Sequence, residues 1–532
     1  MDDLVPAGLL LHQDPGTRLL AGGSRIDGGA ILVGGSPARV LRLTASGARQ
    51  VAGWLAGEPV GENPAGRRLA RKLLDAGIVH PDPAASQASQ NLITARGGGA
   101  QLAGTDVTVV IPVKDRHGEL ARCLAGLAGE AFGAVIVVDD CSADPAAIAA
   151  IAAAAGARVI RRPVNGGPGA ARNTGLAAAK TELVAFLDSD CVPSAGWLAA
   201  ILPHFTDPAV GAVAPRIISH DAGRAGAGRG WIARYEGVSS TLDMGARPSI
   251  VRPGARVPYA PGAALVVRRA AAGDGFRPGM HVGEDVDFVW RLGAAGWRVR
   301  YEPGAAMGHQ HRVRLRPWLA RRSDYGTSAA RLEELHPGSV RPLYASAWTL
   351  AAWCAALAIR PRWAGVAMAA GLTGVATAML ARRLSRVTRE GWPLPGAAGP
   401  ADPGWVAWRL AARLAGGGTL AAGRPLGSAI SRTWWPAAIP LAIVMPRLRL
   451  PLAALLVAPP LLDWADRRPP LDPVRYVAAR LLDDAAYSAG VWRGCARRRS
   501  LRAVLPVVTG KAGSGRGTGT SRPGSTPGRA SP

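Results

Sequence analysis

Between Thr108 and Leu187 the apolar residues form short continuous runs separated by stretches with helical spacing. Thr108 to Ile111, Val135 to Val138, Arg158 to Ile160 and Leu183 to Leu187 read as strands. Gly118 to Leu127, an Ala-rich stretch near 146–155, and Gly169 to Ala179 read as helices. Uninterrupted apolar strands alternating with helices mark a sheet covered on both faces, so the pattern predicts an α/β, doubly wound domain. Its span is set at 105–320, and its ligand site belongs beyond the carboxyl ends of the strands.

The pattern changes on either side. Ile31-Leu32-Val33 and Arg39 to Leu43 read as strands split by the turn Gly34-Gly35-Ser36-Pro37, and the helical spacing of Leu69, Leu73 and Leu74 stops at Gly77. Residues 1–82 therefore read as a small α+β or winged-helix-like module, and the aperiodic Ala, Ser, Gln and Gly stretch of 83–104 as a linker. Residues 321–507 read as a helical apolar region in which 343–359 and 364–381 are each near the minimum for crossing a bilayer, as a helical hairpin. A second apolar region, Trp434 to Met445 and Leu450 to Leu462, is broken by prolines and by Arg447 and Arg449. Arg360 and Arg362 lie between the first two stretches and Arg382, Arg383 and Arg386 follow them, so charge does not assign sides. Amphipathic or re-entrant association with the inner leaflet fits as well as full spanning, and Trp348, Trp353 and Trp363 suit an interface. This predicts a cell-membrane protein with its catalytic domain in the cytoplasm. Residues 508–532, rich in Gly, Ser, Thr and Pro, read as a disordered tail.

Charge changes this picture less than its size implies. The net charge is +26, which points towards nucleic acid or an anionic membrane surface. Yet only Lys72, Lys114, Lys180 and Lys511 are lysines, and an arginine excess beside an Ala and Gly excess is the mark of a GC-rich coding bias. The tryptophans accompany the apolar C-terminal stretches rather than interleaving with basic residues, so no nucleic-acid partner is expected. The five cysteines form no CxxC pair, which argues against a zinc site or a disulfide framework, and no signal peptide is apparent at Met1-Asp2-Asp3.

Candidate chemistry sits where the strands end. The first strand runs into Pro112-Val113-Lys114-Asp115-Arg116 and the next into Asp139-Asp140-Cys141-Ser142. Carboxylates there can accept hydrogen bonds from a base or ribose, although such a pair is commonly just a turn former. Asn165-Gly166-Gly167-Pro168-Gly169 leads into a helix carrying Arg172, a loop whose amides and helix terminus suit a phosphate and whose arginine suits a bidentate anion contact. It matches neither the P-loop nor the dinucleotide fingerprint. Asp188-Ser189-Asp190 directly follows a strand, and two alternating carboxylates suit a hard divalent cation bridging a diphosphate. Gly283-Glu284-Asp285-Val286-Asp287 opens a helix whose acidic first turn, also an ordinary helix-start preference, can present a general base.

In this order, these five motifs resemble the family 2 glycosyltransferases, the inverting GT-A fold enzymes that use nucleotide-diphospho-sugars, over roughly residues 106–312. The resemblance implies that Pro112, Val113, Asp115, Asp139 and Asp140 surround base and ribose, with Arg172 and Asp188 near the donor. It implies Asp188, Asp190 and His309 as holders of Mn²⁺ or Mg²⁺, and Asp285, with Glu284 beside it, as the catalytic base. Cys141 stands where many members have Gly, and Lys114 where an aromatic is common.

Joined to this domain, the module with Val33-Gly34-Gly35-Ser36-Pro37 and Arg67 to Pro81 resembles the glycosyltransferases of the mycofactocin system. That family implies β-linked glucose, with UDP-glucose the expected donor, added to a peptide-derived redox cofactor. The module also resembles small domains that hold precursor peptides, and simple packing against the catalytic domain is the plainer alternative. Two other classes stay open: a family 2 enzyme building a cell-envelope polysaccharide or glycolipid, and a non-catalytic binding protein. The absence of Gln-X-X-Arg-Trp disfavours a processive polymer synthase, and the intact Asp188, Asp190 and Asp285 argue against lost catalysis.

Overall fold

The computed structural model describes residues 4–21, 30–82, 102–220, 230–389 and 403–509. Nearly all of the expected linker and tail lies outside the described residues. At the N-terminal end, β1 (Leu11–Gln13) pairs antiparallel with β5 (Val79–Pro81), while β2 (Arg18–Ala21), β3 (Ala30–Gly34) and β4 (Arg39–Leu43) form an antiparallel meander. The helix Ala45–Leu55 starts where the Thr44 side chain accepts the Gly47 amide. The helix Pro64–Ala76 starts with an Asn63 cap and a proline, and ends at Gly77, whose φ of 67° closes the last turn as only glycine does readily. Leu32, Val51, Trp54, Leu73 and Ile78 make a core of their own.

This module is fastened to the rest of the molecule by charge. Arg71 forks onto buried Asp207 through two 2.7 Å hydrogen bonds, and Arg256 forks onto Asp14 at 2.8 and 3.0 Å. Asp14 also meets His80 at 3.0 Å, and Arg298 reaches Asp75 at 3.2 Å.

The central sheet is built on strands that are apolar because both faces are covered. β6 (Val107–Val113) and β9 (Leu183–Leu187) are buried at every position. β6 lies parallel to β9 on one side and to β7 (Ala134–Asp139) on the other, with β8 (Arg158–Arg161) parallel beyond β7. The helices His117–Leu127, Pro145–Ala154 and Gly167–Ala178 connect these strands.

The remaining half of the sheet departs from the doubly wound expectation. β10 (Cys191–Pro193), β11 (Val210–Ser219), β12 (Ser249–Ile250), β13 (Ala264–Arg268) and β14 (Arg298–His309) complete a nine-stranded sheet. β13 runs antiparallel to both β9 and β11, whereas β11 and β14 are parallel. The sheet is therefore mixed. Because β13 runs backwards, its first residue Ala264 sits opposite Leu187, the last of β9. The loop before β13 thus arrives at the same edge as the parallel strands' carboxyl ends, and the Asp188 amide donates to the Ala263 carbonyl at 2.8 Å.

The C-terminal region is helical. The helices Leu315–Leu335 and Pro473–Arg498 cross at glycines: a Cβ on Gly490 would fall 1.9 Å from the Ser323 carbonyl oxygen, and one on Gly326 2.1 Å from that of Tyr487. The expected hairpin is present as Ala347–Ala358 and Arg362–Arg389, after β15 (Tyr344–Ser346), which pairs with β16 (Val507–Thr509). Residues 412–434 mix α and π turns, and Trp435–Val444 and Arg449–Arg467 follow. Arg362–Ser385 and Pro446–Arg467 are long and apolar enough to cross a membrane, and little of either is covered by the chain.

Candidate active site

The carboxyl ends of β6 and β9, the loop before β13 and the start of the helix Glu284–Ala294 surround a cavity of about 790 Å³. Pro112, Val113 and Asp140 line it from one side, Asp188 and Asp190 form its floor, and Arg172, Glu284, Asp285 and His309 also reach it. Its far wall comes from the helix Leu315–Leu335 and from C-terminal residues such as Arg432 and Tyr487.

Asp115 and Asp139 do not line this cavity. Asp139 is buried, taking the Ser142 amide and Arg161 Nη1, each at 2.8 Å. Asp115 accepts the Ala143 amide at 2.7 Å while its own amide donates to Ser142 Oγ at 3.0 Å. Asp139 is committed to a turn amide and to Arg161, and one oxygen of Asp115 to a turn amide, so both carboxylates join neighbouring strand-end loops. Asp115 (φ 55°) and Cys141 (φ 67°) both hold the left-handed backbone that glycine adopts without strain, which explains a preference for Gly at position 141.

The glycine-rich loop also differs from expectation. The Gly166 and Gly167 amides point at the Asp140 carboxylate, at 3.1 and 2.7 Å, and Arg162 Nη1 completes the cage at 2.5 Å. The donors assigned to a phosphate are therefore held by Asp140.

Arg172 is likewise committed. Its side chain is 3% exposed, donating to Asp188 Oδ1 at 2.6 Å, to Glu284 Oε1 at 3.0 Å and to the Gly262 carbonyl at 3.1 Å. The guanidinium lies over the Phe276 ring at 5.2 Å. It works as a rivet between two acidic motifs, not as a free anion clamp, because a buried arginine without carboxylates would be prohibitively costly. Burial, and then Asp285 beside it, push the Glu284 carboxyl above its ordinary value, with Arg172 opposing.

Asp285 is half-exposed to the cavity. Its Oδ2 accepts the Gly262 amide at 2.7 Å and its Oδ1 the Val286 amide at 2.8 Å, so two backbone donors fix the carboxylate. Gly262 permits this approach: a Cβ there would lie 2.8 Å from the Asp285 Cβ and 3.2 Å from Arg172 Nη2.

Asp190 faces His309, Oδ1 to Nε2 at 3.5 Å, and also pairs with Arg116. Burial works against ionisation of Asp190, but His309 and Arg116 outweigh it and the carboxyl stays below its ordinary value. Burial pushes the His309 imidazole below its ordinary value as well, with Asp190 and Asp188 opposing. Asp190 Oδ1 and His309 Nδ1 are buried with no hydrogen-bond partner among the described residues. No group of three or more His, Cys, Asp or Glu suited to a metal occurs among those residues. The expected trio Asp188, Asp190 and His309 is therefore a facing pair, with Asp188 turned to Arg172.

Sequence reasoning missed Arg116, Gly262, Tyr259, Tyr325, Arg432 and Tyr487, all of which line the cavity. Arg116 had a signal, as it ends the strand-end motif already singled out. The others reach the site only through long-range folding.

Residues 108–271 match the family model described as glycosyl transferase family 2. The chain is 38% identical, over 95% of its length and 98% of the relative's, to the pre-mycofactocin glycosyltransferase of Mycobacterium tuberculosis, strains CDC 1551 / Oshkosh and ATCC 25618 / H37Rv. Succinoglycan biosynthesis protein ExoU of Rhizobium meliloti (strain 1021) is 31% identical over 37% of this chain and 60% of its own. Among solved structures, the mannosyltransferase PcManGT from Pyrobaculum calidifontis in complex with GDP-Man and Mn²⁺ aligns with 72% of this chain and 97% of its own, at 17% identity and a TM-score of 0.34, too slight a likeness to carry argument. The near full-length identity to the mycobacterial enzymes extends through the N-terminal module and the C-terminal helices as well as the catalytic sheet, and on that ground the chain belongs to the pre-mycofactocin glycosyltransferases, a glycosyltransferase with a family 2 domain.

Proposed function

We propose that the chain transfers glucose from UDP-glucose, with inversion to a β linkage, to a peptide-derived redox cofactor or its precursor. The acceptor rests on the mycobacterial relative's name, and the sugar and linkage on the family resemblance alone. The observation that carries the chemistry is the placing of Asp285, fixed by two backbone amides, in one cavity with the Asp188-Ser189-Asp190 strand end.

In this reading Asp285 accepts the proton of the acceptor hydroxyl as that oxygen attacks the anomeric carbon from the face opposite the diphosphate. Its two amide donors hold the carboxylate in line. Pro112 and Val113 offer an apolar edge to the nucleotide base, and the Arg172 rivet keeps Asp188 and Glu284 from moving apart. A divalent cation, Mn²⁺ or Mg²⁺, fits Asp190 Oδ1, which has no hydrogen-bond partner among the described residues, and His309 Nε2 facing it at 3.5 Å better than it fits Asp188, whose Oδ1 is held by Arg172. When bound it would offset charge developing on the departing diphosphate. The exposed apolar helices Arg362–Ser385 and Pro446–Arg467 support attachment to a membrane, and this reading takes that as the inner leaflet with the catalytic domain on the cytoplasmic side. They equally favour the second reading, a lipid-linked or polysaccharide acceptor of the cell envelope.

The test is turnover by the purified protein with Mn²⁺, offering UDP-glucose beside other nucleotide sugars and a mycofactocin-type acceptor. Wild type is compared with Asp190→Ala and Asp285→Asn. Glucose transfer lost by about 100-fold or more in both variants is the expected result. Metal-dependent donor hydrolysis without transfer to that acceptor would move the acceptor to the cell envelope.

A further inference from the structure

The Val33-Gly34-Gly35-Ser36-Pro37 motif does not line the cavity, yet it grips a segment that ends there. Gly34 and Gly35 leave no room for side chains: a Cβ would fall 2.3 Å from Thr17 Oγ1 on the first and 2.4 Å from the Ala76 carbonyl oxygen on the second. The turn they make presents Ser36, whose own amide donates to the Ala76 carbonyl at 2.9 Å. Ser36 then meets the catalytic domain twice. Its carbonyl accepts Arg252 Nη2 at 3.0 Å, and its hydroxyl oxygen accepts the Arg256 amide. Asp14 completes the grip by taking both terminal nitrogens of Arg256, at 2.8 and 3.0 Å. Asp14 is itself 1% exposed and held by the Gly16 amide at 2.8 Å and by His80, so its buried charge is matched and its position fixed.

The gripped segment leads directly to the catalytic carboxylates. Residues 252–263 connect β12 to β13 without helix or strand, and Gly262 follows Arg256 by six positions. Between the two, Pro258 and Pro261 fix their own backbone angles, while Val257 and Ala260 are fully buried, so little slack separates the ends. The Pro258 carbonyl accepts Trp290 Nε1 at 2.7 Å and the Gly262 amide donates to Asp285 at 2.7 Å, two holds on the single helix Glu284–Ala294. The next carbonyl, that of Ala263, takes the Asp188 amide. A segment without a ladder of its own keeps its place through the contacts at its ends. One end belongs to the N-terminal module and the other to Asp285.

We propose that Asp14, Ser36 and Arg256 are positioning residues for glycosyl transfer: by holding the segment 256–262 they set where the Gly262 amide meets Asp285. The N-terminal module is in this account a brace of the active site, acting on the rate without touching donor or acceptor. The glycines of the motif serve to bring Ser36 within reach of Arg256. The effect on rate rests on the role given to Asp285 above, whereas the effect on the segment does not.

The experiment is hydrogen exchange read by mass spectrometry on the full-length protein in detergent, joined to steady-state kinetics with UDP-glucose and Mn²⁺. Wild type is compared with Arg256→Gln, Arg256→Lys and Ser36→Ala. Losing a charge-assisted fork is expected to speed exchange across 257–263 by about tenfold or more in Arg256→Gln. The helices Ala45–Leu55 and Pro64–Ala76 stay as protected as in wild type, and Arg256→Lys, which keeps a cation for Asp14, recovers most of the loss. In the same Arg256→Gln protein kcat falls by about tenfold or more, with KM for UDP-glucose and affinity for UDP within a few-fold, because the base is displaced and the donor end is not. Unchanged exchange across 257–263 in Arg256→Gln overturns the proposal, as does faster exchange there with kcat intact. Should Arg256→Gln fail to fold, Ser36→Ala decides by the same two readings. Failure of wild type to turn over UDP-glucose sinks the proposed function alone, since the exchange is read without substrate.

Discussion

At the scale of single residues, the site depends on a glycine that no motif announces. Gly262 donates its amide to Asp285, accepts from Arg172 through its carbonyl, and leaves no space for a side chain between them. Gly262→Ala is expected to displace the Asp285 carboxylate, and misplacement of about 1 Å costs about 100-fold in rate. Single-turnover kinetics should show that loss with UDP affinity nearly unchanged, whereas a proportional loss of UDP binding would mean the whole site had shifted. Asp188, Asp190 and Asp285 were legible beforehand because carboxylates at a strand's end or a helix's start stand out against apolar neighbours. The partners of Arg172 were not, since Glu284 lies 112 positions away and only the fold brings them together. Asp139 shows the opposite limit: an acidic residue in the right place along the chain, yet turned inward to Arg161.

At the scale of elements, the parallel half of the sheet was readable almost residue for residue. Leu183–Leu187 is the expected strand, and Val107–Val113 and Ala134–Asp139 extend the expected ones by a few positions. A buried central strand has no polar face, so its apolar run is self-announcing. The antiparallel β13 was illegible because direction is decided by pairing with β9 and β11 across the chain, which leaves no local mark. The same holds for the crossing of Leu315–Leu335 with Pro473–Arg498, where close approach is permitted by Gly326 and Gly490. Gly490→Val forces the two helices apart and is expected to cost about 1–3 kcal/mol. Urea unfolding checks the cost.

At the scale of the whole molecule, the N-terminal module is joined to the catalytic domain through buried ionisable groups, which links cohesion to pH. Burial pushes the His80 imidazole below its ordinary 6.5, although Asp14 beside it pulls upward. Below that pH the unfolded chain binds a proton that the folded chain does not, so stability is present above about 6.5 and falls as the medium is acidified. His309 acts in the same sense. Each contributes up to about 1.4 kcal/mol per pH unit. Melting curves between pH 7 and 5 are expected to show that decline, and His80→Gln to reduce it without abolishing it. A decline unaltered in that variant would remove His80 from the account.

The crossing of the two glycine-bearing helices also has a consequence in time. Ser323 and Arg493, hydrogen-bonded across it, are 170 positions apart. At about 5–20 residues per second, the ribosome needs about 10–30 s to travel from one to the other. During that interval the nascent chain already contains every acidic residue of the donor end but not the wall that encloses the cavity. A message or protein cut short in this stretch would leave a site open to water on its acceptor side, placed to squander activated sugar by hydrolysis. Enclosure of the acceptor side therefore waits on the helix Pro473–Arg498, which brings Tyr487 and Val491 to the cavity.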